Sequence, residues 1–189
     1  GATVIYGYDA NDRVHTVTGP DPGNGGATPS STIAYESMGR QESVTDAASG
    51  TVSYTYWPTG AVHTVGGNRS FPISYTYTAQ GRMETMTTAT GTTTWAYEAT
   101  TGRLWKKLDA ANKGPFNSYT TAGRLLTKTN ARGTVATYGY NNAGENTSIT
   151  YNDSITPPAG YTFNRLGQLI QVDASGVSQR NQARSRYGA

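Results

Sequence analysis

An aromatic residue followed four or five positions later by a turn residue, usually glycine, recurs along this chain at a nearly constant interval. It reads YDANDR (8–13), YESMGR (35–40), YWPTGA (56–61), YTAQGR (77–82), YEATTGR (97–103), YTTAGR (119–124), YNNAGE (140–145) and FNRLGQ (163–168). Successive anchors lie 27, 21, 21, 20, 22, 21 and 23 residues apart, a period of about 21. A repeat this short is one supersecondary element that must bury its surface against its neighbours.

The flanks identify the element. Two residues before the anchors stand Tyr6, Ile33, Tyr54, Tyr75, Trp95, Asn117, Tyr138 and Tyr161. Aromatics at i and i+2 share one face of a strand, because side chains alternate. After the turn come Val14 and Val17, Val62 and Val65, Met83 and Met86 at matching positions, a second, shorter strand. The turn glycines Gly39, Gly60, Gly81, Gly102, Gly123, Gly144 and Gly167 close each connection, since glycine takes positive φ without a Cβ clash. Each repeat therefore reads as a β-hairpin. A lone hairpin is marginal in water, so hairpins must pair edge to edge into an antiparallel sheet. The prediction is an all-β chain of about eight hairpin repeats forming a curved, open sheet, with repeats over 1–177 and a loop inserted at 19–31. Residues 178–189, which carry Arg180, Arg184 and Arg186, read as a basic connector or the start of a further repeat.

Composition agrees. Tyr numbers 14 and Gly 23, whereas only 14% of residues are charged and 35% hydrophobic. The aromatics argue against disorder, and the scarcity of aliphatic mass argues against a thick core. One face should carry a ladder of Tyr6, Tyr8, Tyr35, Tyr54, Tyr56, Tyr75, Tyr77, Trp95, Tyr97, Tyr119, Tyr138, Tyr140, Tyr161 and Phe163. Ser53, Thr55, Ser74 and Thr76 should then face the other way. The formal net charge of +3 is dispersed, and Lys106-Lys107 is the sole adjacent basic pair, so no nucleic-acid footprint is expected. There is no cysteine for disulfides or thiolate metal sites, and no apolar run long enough to span a membrane as a helix.

Tyr6-Gly-Tyr-Asp9 with Arg13-Val14, followed by the recurring Y-x-x-x-G-R-[LMV], resembles the YD repeats of RHS proteins over residues 2–176. The literal Tyr-Asp pair occurs in the first repeat alone; Glu36, Trp57, Thr78, Glu98, Thr120, Asn141 and Asn164 hold the Asp position elsewhere. Ala61, Glu145 and Gln168 replace the arginine. The resemblance implies a spiralling strip of hairpins, which in RHS toxins, insecticidal toxin complexes and teneurins closes into a hollow, cargo-enclosing shell. About eight repeats are too few to close a large cavity, so the chain looks like part of a longer strip. The family's cargo-releasing segment with catalytic aspartates finds no match, since Asp21-Pro22 lies in the long loop of the first repeat.

Residues with chemical potential are explained by the repeat. His15 and His63, the only histidines, occupy the third position after the turn residue, as do Glu42, Glu84, Trp105, Leu126, Thr147 and Ile170. Asp9, Glu36 and Glu98 share the position after the anchor, and carboxylates on neighbouring hairpins come within several ångströms by periodicity alone. No catalytic, cofactor-binding or metal-ligating set is assigned, and no cofactor is expected. Trp95 and Trp105 read as packing residues; Trp57, at a turn before Pro58, is a possible glycan contact. Asn68, Asn146 and Asn152 begin glycosylation-acceptor triplets of a kind frequent by chance in Ser/Thr-rich chains. The leading reading is a non-enzymatic scaffold of a secreted or surface bacterial protein. Its expected partners are further repeats, including copies of itself through sheet edges. An extracellular adhesion or carbohydrate-binding module is the alternative, and a hydrolase is third.

Overall fold

The computed structural model describes residues 2–23, 25–46, 48–174 and 177–180, and among these there are seventeen strands and no helix. Contacts group the chain into two units, residues 1–93 and 94–189. In the first unit β1 (Ile5–Tyr8) pairs with β2 (Val14–Thr18), and β3 (Ser30–Tyr35) with β4 (Gln41–Asp46). Next, β5 (Gly50–Tyr56) pairs with β6 (Val62–Gly66), and β7 (Ile73–Tyr77) with β8 (Met83–Thr88). The hairpins join through β2–β3, β4–β5 and β6–β7, all antiparallel. The Pro/Gly-rich segment after β2 ends at Pro29, because Ser30 and Ser31 already pair with Thr18 and Val17.

Strand β9 (Gly91–Tyr97) holds the last residues of the first unit and the first of the second. In the second unit it pairs with β10 (Leu104–Leu108), and β11 (Phe116–Tyr119) pairs with β12 (Leu125–Thr129). Then β13 (Val135–Tyr140) pairs with β14 (Asn146–Tyr151), β15 (Ala159–Phe163) with β16 (Leu169–Ala174), and β17 (Val177–Arg180) adds to β16. Residues 178–180 of the segment read as a connector or the start of a further repeat lie in β17; residues 181–189 lie outside the described residues.

Every one of the eight hairpins carries a β-bulge at the same place. Tyr56 faces Val62 and Tyr54 faces Val65, leaving His63 as the extra residue. Tyr77 faces Met83 and Tyr75 faces Met86, with Glu84 extra; Tyr140 faces Asn146 and Tyr138 faces Ile149, with Thr147 extra. Two side chains three residues apart fall on opposite faces of a regular strand. The inserted residue restores them to one face, opposite two aromatics that are two apart. The extra residues are the ones noted in sequence at the third position after the turn.

Register fixes which side chains share a face. Tyr54, Val65, Ile73 and Tyr75 lie across from one another on one face of β5, β6 and β7. The other face carries hydroxyl pairs: Thr45–Thr51 at 2.8 Å, Thr55–Thr64 at 2.6 Å and Thr76–Thr85 at 2.7 Å, and Ser118–Thr127 at 2.6 Å in the second unit. Among the described residues only Leu108, Gly114 and Ala136 are buried. The chain leaves 13174 Å² accessible, against about 8,700 Å² for a globular protein of this mass. Ladder hydrogen bonds and cross-strand contacts, rather than a layered core, hold the hairpins together.

The bulge yields a test. Glu84→Ala should change stability by less than about 0.5 kcal/mol, as exposed substitutions do. Inserting an alanine between Glu84 and Thr85 should cost at least about 2 kcal/mol, because the bulge absorbs one extra residue and a second throws Met86 onto the hydroxyl face. Thermal unfolding followed by circular dichroism distinguishes the two.

Candidate functional site

Each repeat is built around its turn. The N–H of the residue after the anchor donates to the carbonyl of the residue after the turn glycine, as in Glu36 N–H to Arg40 O at 2.9 Å. The glycine N–H returns a bond to the residue after the anchor, as in Gly39 to Glu36 at 2.8 Å. The turn glycines have φ from 71° to 91°, and in the first repeat Asp12 takes this place at φ 58°. Aspartate and asparagine tolerate that region better than other side chains. Asn112 does the same between β10 and β11.

In six repeats the position after the anchor varies in identity but holds one job. Its side-chain oxygen accepts the N–H of the residue after the glycine: Asp9 from Arg13 (3.0 Å), Glu36 from Arg40 (3.2 Å) and Thr78 from Arg82 (3.3 Å) in the first unit. Thr120 from Arg124 (3.1 Å), Asn141 from Glu145 (3.0 Å) and Asn164 from Gln168 (3.0 Å) repeat it in the second. In the repeat of Glu98 the Arg103 N–H is instead accepted by Thr101 Oγ1 at 3.3 Å. Any residue with an acceptor two to four bonds from Cα suffices, so Asp gives way to Glu, Thr or Asn.

The arginine then links repeat to repeat. Arg13 pairs with Asp9 at 2.7 Å and lies over the ring of Tyr35, the next anchor, at 4.3 Å. Arg40 pairs with Glu36 at 2.8 Å and lies over Tyr56 at 4.5 Å. In the second unit Arg103 covers Tyr119 at 5.6 Å and Arg124 covers Tyr140 at 5.5 Å. Each covered tyrosine donates its hydroxyl back to a carbonyl beside the preceding turn: Tyr35 to Val14 (2.8 Å), Tyr56 to Gln41 (2.6 Å), Tyr119 to Leu104 (2.8 Å) and Tyr140 to Leu125 (2.8 Å). A cation–π contact contributes about 0.5–1 kcal/mol at an exposed site, and a neutral hydrogen bond about 0.5–1.5 kcal/mol.

The guanidinium also sets the charge state of its acid. Hydrogen bonding from Arg13 holds the Asp9 carboxyl down at about 2, and Arg40 likewise lowers Glu36. A lowered folded-state value means stability present above the ordinary carboxylate range and lost as pH falls through the folded value. For Asp9 the loss falls between its usual 3.8 and about 2. Asp9→Asn should therefore flatten the wild-type decline in Tm over that interval, with near-parallel curves above pH 5, as read by thermal melts at stepped pH.

One repeat departs from the pattern at both positions. Trp57 replaces the acceptor and Ala61 the arginine, so this turn has neither the side-chain bond nor a cation to send forward. The half-buried Trp57 instead donates its indole N–H to Tyr75 O at 3.0 Å and packs against His63 with ring centroids 4.2 Å apart. Tyr77, the next anchor, has no arginine over its ring and no bond from its hydroxyl among the described contacts, and burial raises its pKa. A cleft of about 380 Å³ opens there, lined by Trp57, Pro58, Thr59, Thr76, Tyr77, Thr78, Ala79 and Gly81. Nothing lies within 4 Å of where a Cβ on Gly81 would be, whereas Gly123 and Gly144 meet the guanidinium groups of Arg103 and Arg124.

The remaining candidates lie apart from this cleft or beside it in a structural role. His15 Nδ1 lies 2.9 Å from Ile33 O, and His63 is the bulge residue under Trp57. Trp95 is half-buried with Lys107 above it at 5.0 Å, and Trp105 is 45% exposed against Phe116. No group of three or more His, Asp or Glu able to hold a metal gathers among the described residues. The arginine-to-tyrosine link was not anticipated from sequence, although the co-occurrence of the arginine with an anchor one period later is its signal.

These features define a class, a strip of antiparallel hairpin repeats joined turn to turn. The fold is that of the YD/RHS-repeat proteins of Tc toxin complexes. A crystal structure of TcdB2-TccC3-TEV superposes over 92% of this chain with a TM-score of 0.72 and 14% identity. A mutant Photorhabdus luminescens Tc holotoxin pore matches 90% at a TM-score of 0.52 and 16% identity. The chain spans about a tenth of the length of these proteins, 10% and 12% respectively. No family model matches the sequence, and no curated protein does.

The packing of arginine over the turn predicts unequal costs for the same substitution. Gly81→Ala should cost about 1–2 kcal/mol, the expense of positive φ for a side chain. Gly123→Ala should cost more, because its Cβ also displaces Arg103. Chemical denaturation of the two variants compares them directly.

Proposed function

We propose that this chain is a non-enzymatic scaffold element of a secreted or surface bacterial YD/RHS-repeat protein, contributing hairpins to a toxin-enclosing shell. The carrying observation is that the motif residues are engaged in architecture. Anchor tyrosine, acid and arginine bond to one another and to the next repeat. Shell likeness in fold to the Tc complexes supports the same reading. The partners are further repeats, and the chain associates with itself through sheet edges.

Within its unit, β1 pairs with β2 alone, and Ile5, Tyr6 and Tyr8 are 61%, 54% and 62% exposed. An unpaired strand offers free N–H and C=O groups to another strand, and Tyr8 offers a ring of the type that arginines cover elsewhere. Analytical ultracentrifugation over a hundredfold concentration range should show growing assemblies that Tyr6→Lys suppresses. A monomer at all concentrations that binds sugars on a glycan array, with binding lost in Trp57→Ala, would replace the scaffold reading by the adhesion one.

A further inference from the structure

The cleft beside Gly81 is the place where an arginine belongs. Among the described contacts, the anchor tyrosines Tyr35, Tyr56, Tyr119 and Tyr140 lie beneath a guanidinium from the preceding repeat, at 4.3–5.6 Å. Tyr77 keeps the ring and Gly81 the bare turn, but Ala61 ends at Cβ and leaves the space open. We propose that this cleft receives an arginine side chain presented by a partner polypeptide, which completes in trans the contact that these four anchors make in cis. The inference is independent of the scaffold reading, since it concerns what fills one slot rather than what the strip encloses.

The sister slots show what a guanidinium would meet. Arg40 reaches over Tyr56 and also donates through Nη1 to Trp57 O at 3.4 Å, a carbonyl just after the covered anchor. The equivalent carbonyl here belongs to Thr78, which lines the cleft. A carboxylate within the donor's own turn is not needed, because Arg124 covers Tyr140 with Thr120, not an acid, at its turn. No charged side chain lines the cleft, so none repels an incoming cation. A sugar is less well served: the indole N–H of Trp57 is already donated to Tyr75 O, and one side of that ring meets His63. The volume of about 380 Å³ suits a single side chain with its adjoining backbone.

The test is a magnetic-resonance titration of the isotope-labelled full chain with the pentapeptide Gly-Gly-Arg-Gly-Gly. Its analogue with citrulline, a neutral isostere, serves as the comparison. Saturable shifts are expected at the Gly81 amide and the Tyr77 ring, with citrulline about two- to thirtyfold weaker, the range a cation–π contact supplies between exposed and desolvated sites. Ala61→Arg should abolish the shifts by filling the slot from within, and should raise Tm. Tyr77→Leu should reduce the arginine peptide to the citrulline level and keeps the test valid if Ala61→Arg fails to fold. Three outcomes would each overturn the proposal: no saturable shift at Gly81 and Tyr77, equal binding of the two peptides, or shifts there from free monosaccharides that the arginine peptide does not displace.

Discussion

A guanidinium laid across the tyrosine of the following repeat is the contact on which this structure depends. Backbone ladders join neighbouring strands, but a ladder alone is indifferent to which side chains it carries. In the first two repeats the arginine ties three things together: the acid of its own turn, the ring of the next anchor, and the bare glycine beneath it. Arg40 does so with Glu36, Tyr56 and the turn at Gly60. With almost nothing buried, these half-exposed contacts and the hydroxyl bonds that accompany them must supply much of the specificity that a packed interior supplies elsewhere. The motif is therefore a description of a junction, written half in one repeat and half in the next.

The period, the hairpins and the turns were legible in the sequence because each depends on local chemistry. Tyr54 and Tyr56 alternate as a strand must, and glycine marks positive φ. Two features were not legible. Val62 and Val65 stand three apart, which no regular strand can place on one face, and only the register shows that His63 is inserted between their partners. The tie between Arg13 and Tyr35 spans 22 residues and is invisible to any reading confined to one repeat. Departures from the motif were visible as letters, yet their meaning was not. Asn141 preserves the turn by accepting the Glu145 N–H and donating its own amide to the Glu145 carboxylate, whereas Trp57 with Ala61 changes what the turn presents.

Trp57 illustrates the difference between an unusual residue and an available one. In sequence, a tryptophan before Pro58 suggested a ring free to stack on a ligand. In the structure its N–H and part of its surface are committed to Tyr75 and His63. What is free is the neighbouring ring of Tyr77, an ordinary member of the ladder. The functional interest has moved one repeat along, from the residue that departs from the pattern to the one that the departure leaves uncovered.

The recurrent bulge separates two kinds of inheritance. One residue in each repeat has no cross-strand partner of its own, and its identity ranges across His15, Glu42, His63, Glu84, Trp105, Leu126, Thr147 and Ile170. Geometry at that position is fixed by the neighbours, so sequence there can drift without disturbing the hairpin. In the first unit these residues are polar or charged, and in the second three of the four are apolar. A lineage could thus rewrite one regularly spaced column of surface chemistry, repeat by repeat, while transmitting the architecture unchanged.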